Sequence, residues 1–236
     1  MRWIALACIF ALTGCVATTQ APSPSKPAPT RTAAKKQTVP TTAQMQSFSR
    51  VVRTMEPVAE RECRRRAKGL NCDFKIVVDD RPGQPANAFQ TLDRSGRPIL
   101  AFNLAFIAQA RNRHELAFVM GHESAHHISG HIARQRQNAT AGAILLGGIA
   151  AITGAGSGTI SSAQDIGAAV GARTYSKDFE LEADALGTII TKRAGYNPVK
   201  GAQFFTQIPD PGDRFLGTHP PNAKRMETVI RVNNSL

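Results

Sequence analysis

Apolar residues recur at helical spacing at Met45, Phe48, Val51, Val52, Met55 and Val58, which predicts a long amphipathic helix over residues 41–68. Pro57 lies inside it and is expected to kink or divide it, because proline has no amide hydrogen to give the preceding turn. The period then shortens to two. Phe74-Lys-Ile-Val-Val78 reads as a strand closed by turn residues at Asp79-Asp-Arg-Pro-Gly83, and residues 86–92 and 98–103 predict two more, joined by Asp93-Arg-Ser-Gly96. A short helix follows over 104–109. The next starts at Asn112 or Arg113, and its Leu116-Ala-Phe-Val-Met120 segment predicts burial. That helix is expected to run on past Gly130. Residues 141–152 are apolar and glycine-rich, lead into a flexible Thr153 to Gly158 stretch, and are too short to cross a bilayer. Three readings stand for them: a buried helix, a lid with glycine hinges, or a patch that touches membrane or unfolded protein. Further helices are predicted at 161–172, before Arg193, from Pro198, and after Pro221. Many helices with a few strands make residues 41–236 one α+β domain, mainly helical.

The buried helix carries the candidate chemistry. In His122-Glu-Ser-Ala-His126 the two histidines are four positions apart and share a helix face, so both can grip one metal ion. Glu123 is turned by roughly 100° from that face, placed to act on a water instead of binding the metal. The pattern is that of a zinc hydrolase with the glutamate as general base. A catalytic zinc takes three protein ligands, and another is needed. A histidine six residues after His126, as astacin-like enzymes have, is absent, since Ile132 stands there. His131, five residues after His126, points to a different face of the helix, and His127 is likewise turned away. The acidic run Lys177-Asp-Phe-Glu-Leu-Glu-Ala-Asp184 remains. There Glu180 and Asp184 share a face, so Glu180 is expected as third ligand and Asp184 as an acceptor for the far nitrogen of a ligand histidine, while Glu182 points away.

These motifs, with Asn87-Ala-Phe89, the strand from Gly96 to Asn103, Glu115-Leu-Ala, and Thr218-His-Pro-Pro221 followed by Arg225, resemble the HtpX, BepA and LoiP type of zinc metalloendopeptidase, a broad family that includes the prenyl-protein (CAAX) proteases. The resemblance covers most of residues 45–230. It implies a zincin-type domain with Zn²⁺ on His122, His126 and Glu180. It also implies a small antiparallel sheet, with strand 98–103 as the edge beside the catalytic helix, where an extended substrate can add as a strand. It places His219 at the cleft, to donate to the oxyanion or to cap the fourth metal position, and Arg225 as a brace for that turn or the partner of an active-site carboxylate. Co²⁺ or Mn²⁺ would suit the same donors.

Residues 1–14 read as a signal segment, with Arg2, an apolar core from Ile4, and Leu12-Thr-Gly-Cys15 resembling a lipobox whose Cys15 is acylated. By resemblance to bacterial lipoprotein sorting, Val16 and not aspartate after the cysteine favours the outer membrane, so the enzyme would face the periplasm. Residues 15–40, rich in Pro, Thr and Ala with Lys26, Arg31, Lys35 and Lys36, predict a disordered tether. The formal net charge is +12. Without stacking aromatics or a recognition motif, Arg64-Arg-Arg66 reads as a solvated face and not a nucleic-acid site. Cys63 and Cys72 are expected to pair in an oxidising compartment. The functional expectation is therefore an envelope endopeptidase acting on misfolded or misassembled proteins. The competing classes are an envelope chaperone with a metal-stabilised fold and a zinc amidase of the cell wall.

Overall fold

Thr41 opens the domain with a capping box: its hydroxyl accepts from the Gln44 amide while the Gln44 side chain accepts from the Thr41 amide. Helix α1 (Thr42–Arg66) runs through Pro57 without dividing there, and Met55, Val58 and Ala59 around the proline are buried and hold both sides to the core. The computed structural model describes residues 38–174, 176–210, 212 and 219–236. The expected signal segment, Cys15, the tether up to residue 37, and Thr218 lie outside these residues.

The three strands are β1 (Lys75–Asp79), β2 (Ala88–Leu92) and β3 (Pro98–Asn103), in the order β1-β3-β2. The sheet is mixed, not antiparallel: β1 runs parallel to β3, and β2 antiparallel to it. The strand expected at the edge, β3, is central, and β2 is the edge beside the cleft. Burial explains the exchange. β3 is almost wholly buried and takes the position with two neighbours, whereas β2 leaves Phe89 and Leu92 open. Asp93 pins the β2–β3 turn by accepting from the Ser95 and Arg97 amides, with Gly96 at φ 81°.

Asn103 ends β3 and caps α2 (Leu104–Gln109) by accepting from the Phe106 amide. It also accepts from the Asn87 amide and donates to the Pro85 carbonyl, which ties the entry of β2 to the start of α2. Asn112 caps α3 (Arg113–Ile128). The fully buried Glu115 accepts from the Arg111 amide and guanidinium and from Gln207, so the 3-10 turn at Gln203–Gln207 is bound to the head of α3.

Gly130, at φ 66°, ends α3, and a separate helix α4 (His131–Ile152) begins there, so the expected continuous helix is broken. Helix α5 (Ser157–Thr174) returns along α4, and α6 (Ser176–Arg193), α7 (Pro198–Ala202) and α8 (Asn222–Asn234) complete the unit formed by residues 36–236. Residues 141–152 are not a buried helix. Ile144, Leu145, Ile149 and Ile152 are exposed, and α4 buries only His131 and Gly147 among its residues.

Phe48, Met55, Phe74, Leu100, Phe102, Phe118, Met120 and Ile190 fill the core between α1, the sheet, α3 and α6. Helices α3 and α6 meet backbone to backbone: a Cβ on Gly187 would fall 2.9 Å from the His122 amide nitrogen, and one on Gly121 2.8 Å from the Thr191 hydroxyl. Cys63 and Cys72 are joined by a disulfide that closes the turn after α1. The Arg65 and Arg66 side chains fold onto buried Glu62, which Arg193 of α6 also reaches.

Candidate metal centre

The close approach of α3 and α6 sets the spacing between their polar side chains. From α3, His122 Nε2 and His126 Nε2 lie 3.0 Å apart. From α6, Glu180 places one carboxylate oxygen 3.3 Å from His126 Nε2 and the other 3.6 Å from His122 Nε2. Nitrogen and oxygen donors about 2.0–2.1 Å from a tetrahedral metal stand about 3.3–3.4 Å from one another, so these three residues match one face of such a site. His122, His126 and Glu180 form the one cluster among the described residues with the geometry to hold a metal ion.

The protons follow from what lies behind each imidazole. His122 Nδ1 is 2.9 Å from Asp184 Oδ1, so its proton sits there and Nε2 presents a lone pair. Asp184 is fully buried and held by a two-pronged pair with Arg225, at 2.7 Å from both Nε and the terminal nitrogen. Arg225 therefore takes the carboxylate-pairing role, and it stacks on Phe205 at 3.9 Å.

Behind His126 stands His131, whose Nδ1 is 2.8 Å from His126 Nδ1 and whose Nε2 is 3.2 Å from Glu182. Burial, reinforced by the charge on His126, holds the pKa of His131 down to about 4, so it is neutral near pH 7. A neutral His131 that donates to Glu182 through Nε2 has only a lone pair at Nδ1, and His126 must donate to it. His126 Nε2 then also faces the cluster as a lone pair. The His131 ring lies parallel to Phe179 at 4.6 Å, Arg134 covers Phe179 at 4.3 Å, and Arg134 donates to Glu182 at 2.7 Å.

Two ring lone pairs and a carboxylate converging within van der Waals distance call for a cation. In the metal-free protein a proton on His126 Nε2, shared with Glu180, fills that role. Burial opposes charge on His126, yet the bond to Glu180 and the Glu123 and Glu180 charges raise its pKa above the usual histidine value. Burial would likewise raise Glu180, but hydrogen bonds from His126 and His219 with the charges of His122 and Arg225 hold it well below the carboxylate range.

Glu123, buried beside His122, lines a cleft of about 440 Å³ together with His122, His126, Glu180, His219 and the edge-strand residues Ala88, Phe89 and Gln90. His219 is half exposed at the rim, with Nδ1 3.0 Å from Glu180. His127 is turned away and bonds the Asn71 carbonyl. The residues that helical spacing missed are His131 and Glu182. The break at Gly130 swings His131 back toward His126, and a glycine directly before a histidine was the available signal.

A mainly helical α+β domain with an HExxH helix, an acidic partner helix and a two-histidine, one-glutamate donor set defines a zincin-type metallopeptidase. The sequence profile of peptidase family M48 matches residues 45–232, and the chain belongs to that family. A Vibrio cholerae serotype O1 protein, provisionally named a beta-barrel assembly-enhancing protease, is 31% identical over 138 residues, 52% of this chain and 26% of that protein. The chain thus corresponds to about a quarter of that relative's length.

Proposed function

We propose that the protein is a zinc-dependent endopeptidase of the cell envelope that hydrolyses internal bonds of misfolded or misassembled periplasmic and outer-membrane proteins. The observation that carries this reading is Glu123, a buried carboxylate in the cleft beside a three-donor metal socket, since a purely structural zinc would be closed by four ligands and would need no base. Zn²⁺ held by His122, His126 and Glu180 would supply Lewis-acid polarisation of the scissile carbonyl and a lowered pKa for the attacking water. Glu123 takes the proton from that water and returns it to the leaving amine. Asp184 and His131 keep the ligand histidines in the tautomer that faces the cation. His219, seated on Glu180, offers its other ring nitrogen to the developing oxyanion. The unpaired side of β2 along the cleft takes the substrate as an added strand, which suits broad sequence tolerance.

The envelope address rests on the Leu12 to Cys15 lipobox, with acylation at Cys15, and on the name of the Vibrio relative. It is tested by palmitate labelling and membrane fractionation of Cys15→Ser, which should lose both the label and the outer-membrane fraction. The catalytic reading is tested by metal content and casein cleavage. About one zinc per chain is expected, with Glu180→Ala losing the metal and Glu123→Gln retaining metal without cleavage. Full envelope function in Glu123→Gln cells would transfer the physiological role to a chaperone.

A further inference from the structure

Most helices of this domain bury large apolar side chains and show small or polar ones to water. The α4–α5 hairpin is built the other way round. Its two helices touch through glycine: a Cβ on Gly142 would fall 2.1 Å from the Gly167 carbonyl oxygen, and one on Gly171 2.1 Å from the Asn138 carbonyl oxygen. The large residues point outward, with Ile144 68% exposed, Leu145 62% and Ile152 85%, and with Ile149, Ile166 and Val170 also open. Of α5, Gly167 is the buried residue. Small residues between the helices and large aliphatics outside is the order found where the surroundings are lipid tails, because water gives no reason to face Ile outward and close backbone contact holds the pair together.

The charges are sorted in the same sense. Residues 137–164, the outer part of both arms, contain no charged side chain, and beyond them stand Arg134, Arg136 and Arg173 with Asp165 as the sole acidic residue between His131 and Thr174. An uncharged apolar tip behind a basic collar is complementary to an anionic bilayer, where Arg136 and Arg173 meet headgroup phosphates while Arg134 stays on Glu182, and the tip enters the acyl boundary. No helix among the described residues is long and apolar enough to cross a membrane. The uncharged part of α4, at 1.5 Å per residue, reaches about 24 Å, short of the roughly 30 Å hydrocarbon core but longer than one leaflet of about 15 Å, so it enters at a tilt.

We propose that the outer part of the α4–α5 hairpin is a membrane-contacting surface that inserts into one leaflet of an anionic bilayer. The base of the same hairpin lines the cleft through His131, Ile132, Gln135 and Arg173, so insertion would hold the cleft beside the lipid surface. This surface is separate from the metal donors, and its test does not depend on cleavage.

The test uses the chain from Val16 onward, which keeps the whole unit of residues 36–236. The sequence has one tryptophan, Trp3, so Ile152→Trp in this chain is the single tryptophan, excited selectively at wavelengths beyond the absorption of the tyrosines. With phosphatidylglycerol/phosphatidylethanolamine vesicles its emission should shift to the blue and be quenched by brominated acyl chains. The triple variant Leu145→Ser, Ile149→Ser, Ile152→Ser should bind the vesicles at least about tenfold more weakly, with an unchanged melting temperature and metal content. Equal binding of the triple variant would overturn the proposal by assigning adsorption to the basic tether. So would Ile152→Trp emission that brominated chains leave unquenched, a dimer in sedimentation velocity that the triple variant abolishes without vesicle binding, or hairpin-dependent capture of unfolded casein in the absence of vesicle binding.

Discussion

His126 is oriented by a contact made at its rear nitrogen. His131 accepts there and passes its own proton toward Glu182, so the lone pair that faces the cation is fixed two residues away from it. Replacing His131 with Phe keeps the stack on Phe179 but removes the acceptor, and should weaken metal binding about 10- to 100-fold in chelator competition. His131→Gln, which restores an acceptor, should recover part of the loss. Arg225 serves His122 in the parallel way, through Asp184. Arg225→Ala strands a buried carboxylate and should cost about 3–5 kcal/mol in urea unfolding of the metal-free protein, and Arg225→Lys should not restore a two-pronged bond. His122, His126, Glu180 and Asp184 were legible in the sequence because positions four apart on a helix share a face whatever surrounds it. His131 was not. Its placement depends on one left-handed glycine, which a helical wheel cannot represent.

Elements were legible where a period was long and unbroken, as in α1 and α3. The order of the strands was not, since alternation tells which residues form a strand and nothing of which neighbour it meets, and only the near-complete burial of β3 shows that it is central. That α3 and α6 meet follows from their shared ligands, but how closely was invisible, because Gly121 and Gly187 carry no pattern and matter only once the helices meet. Gly187→Ala should push α6 from α3, lowering stability by about 1–3 kcal/mol and weakening metal binding although no ligand is touched. Urea unfolding and metal competition on the same sample should show both losses together.

At the scale of the molecule, the core joins α1, the sheet, α3 and α6, and the disulfide fastens the end of α1 to the segment that leads into β1. Replacing Cys63 and Cys72 by Ser should remove about 2.5–3 kcal/mol by the chain-entropy argument, read as a lower urea midpoint with the metal site intact. The hairpin stands in a different relation to this body. The cleft lining stops at Gln135 and resumes at Arg173, so the stretch between them is spliced into the chain between the histidine pair and its glutamate without furnishing a wall of the cleft. The enzyme is in effect a cassette interrupted by an insert. The insert can be lengthened, trimmed or exchanged for another pair of helices while His131 and Glu180 keep their places, and a lineage of such enzymes can change the surroundings in which it works by rewriting that segment alone.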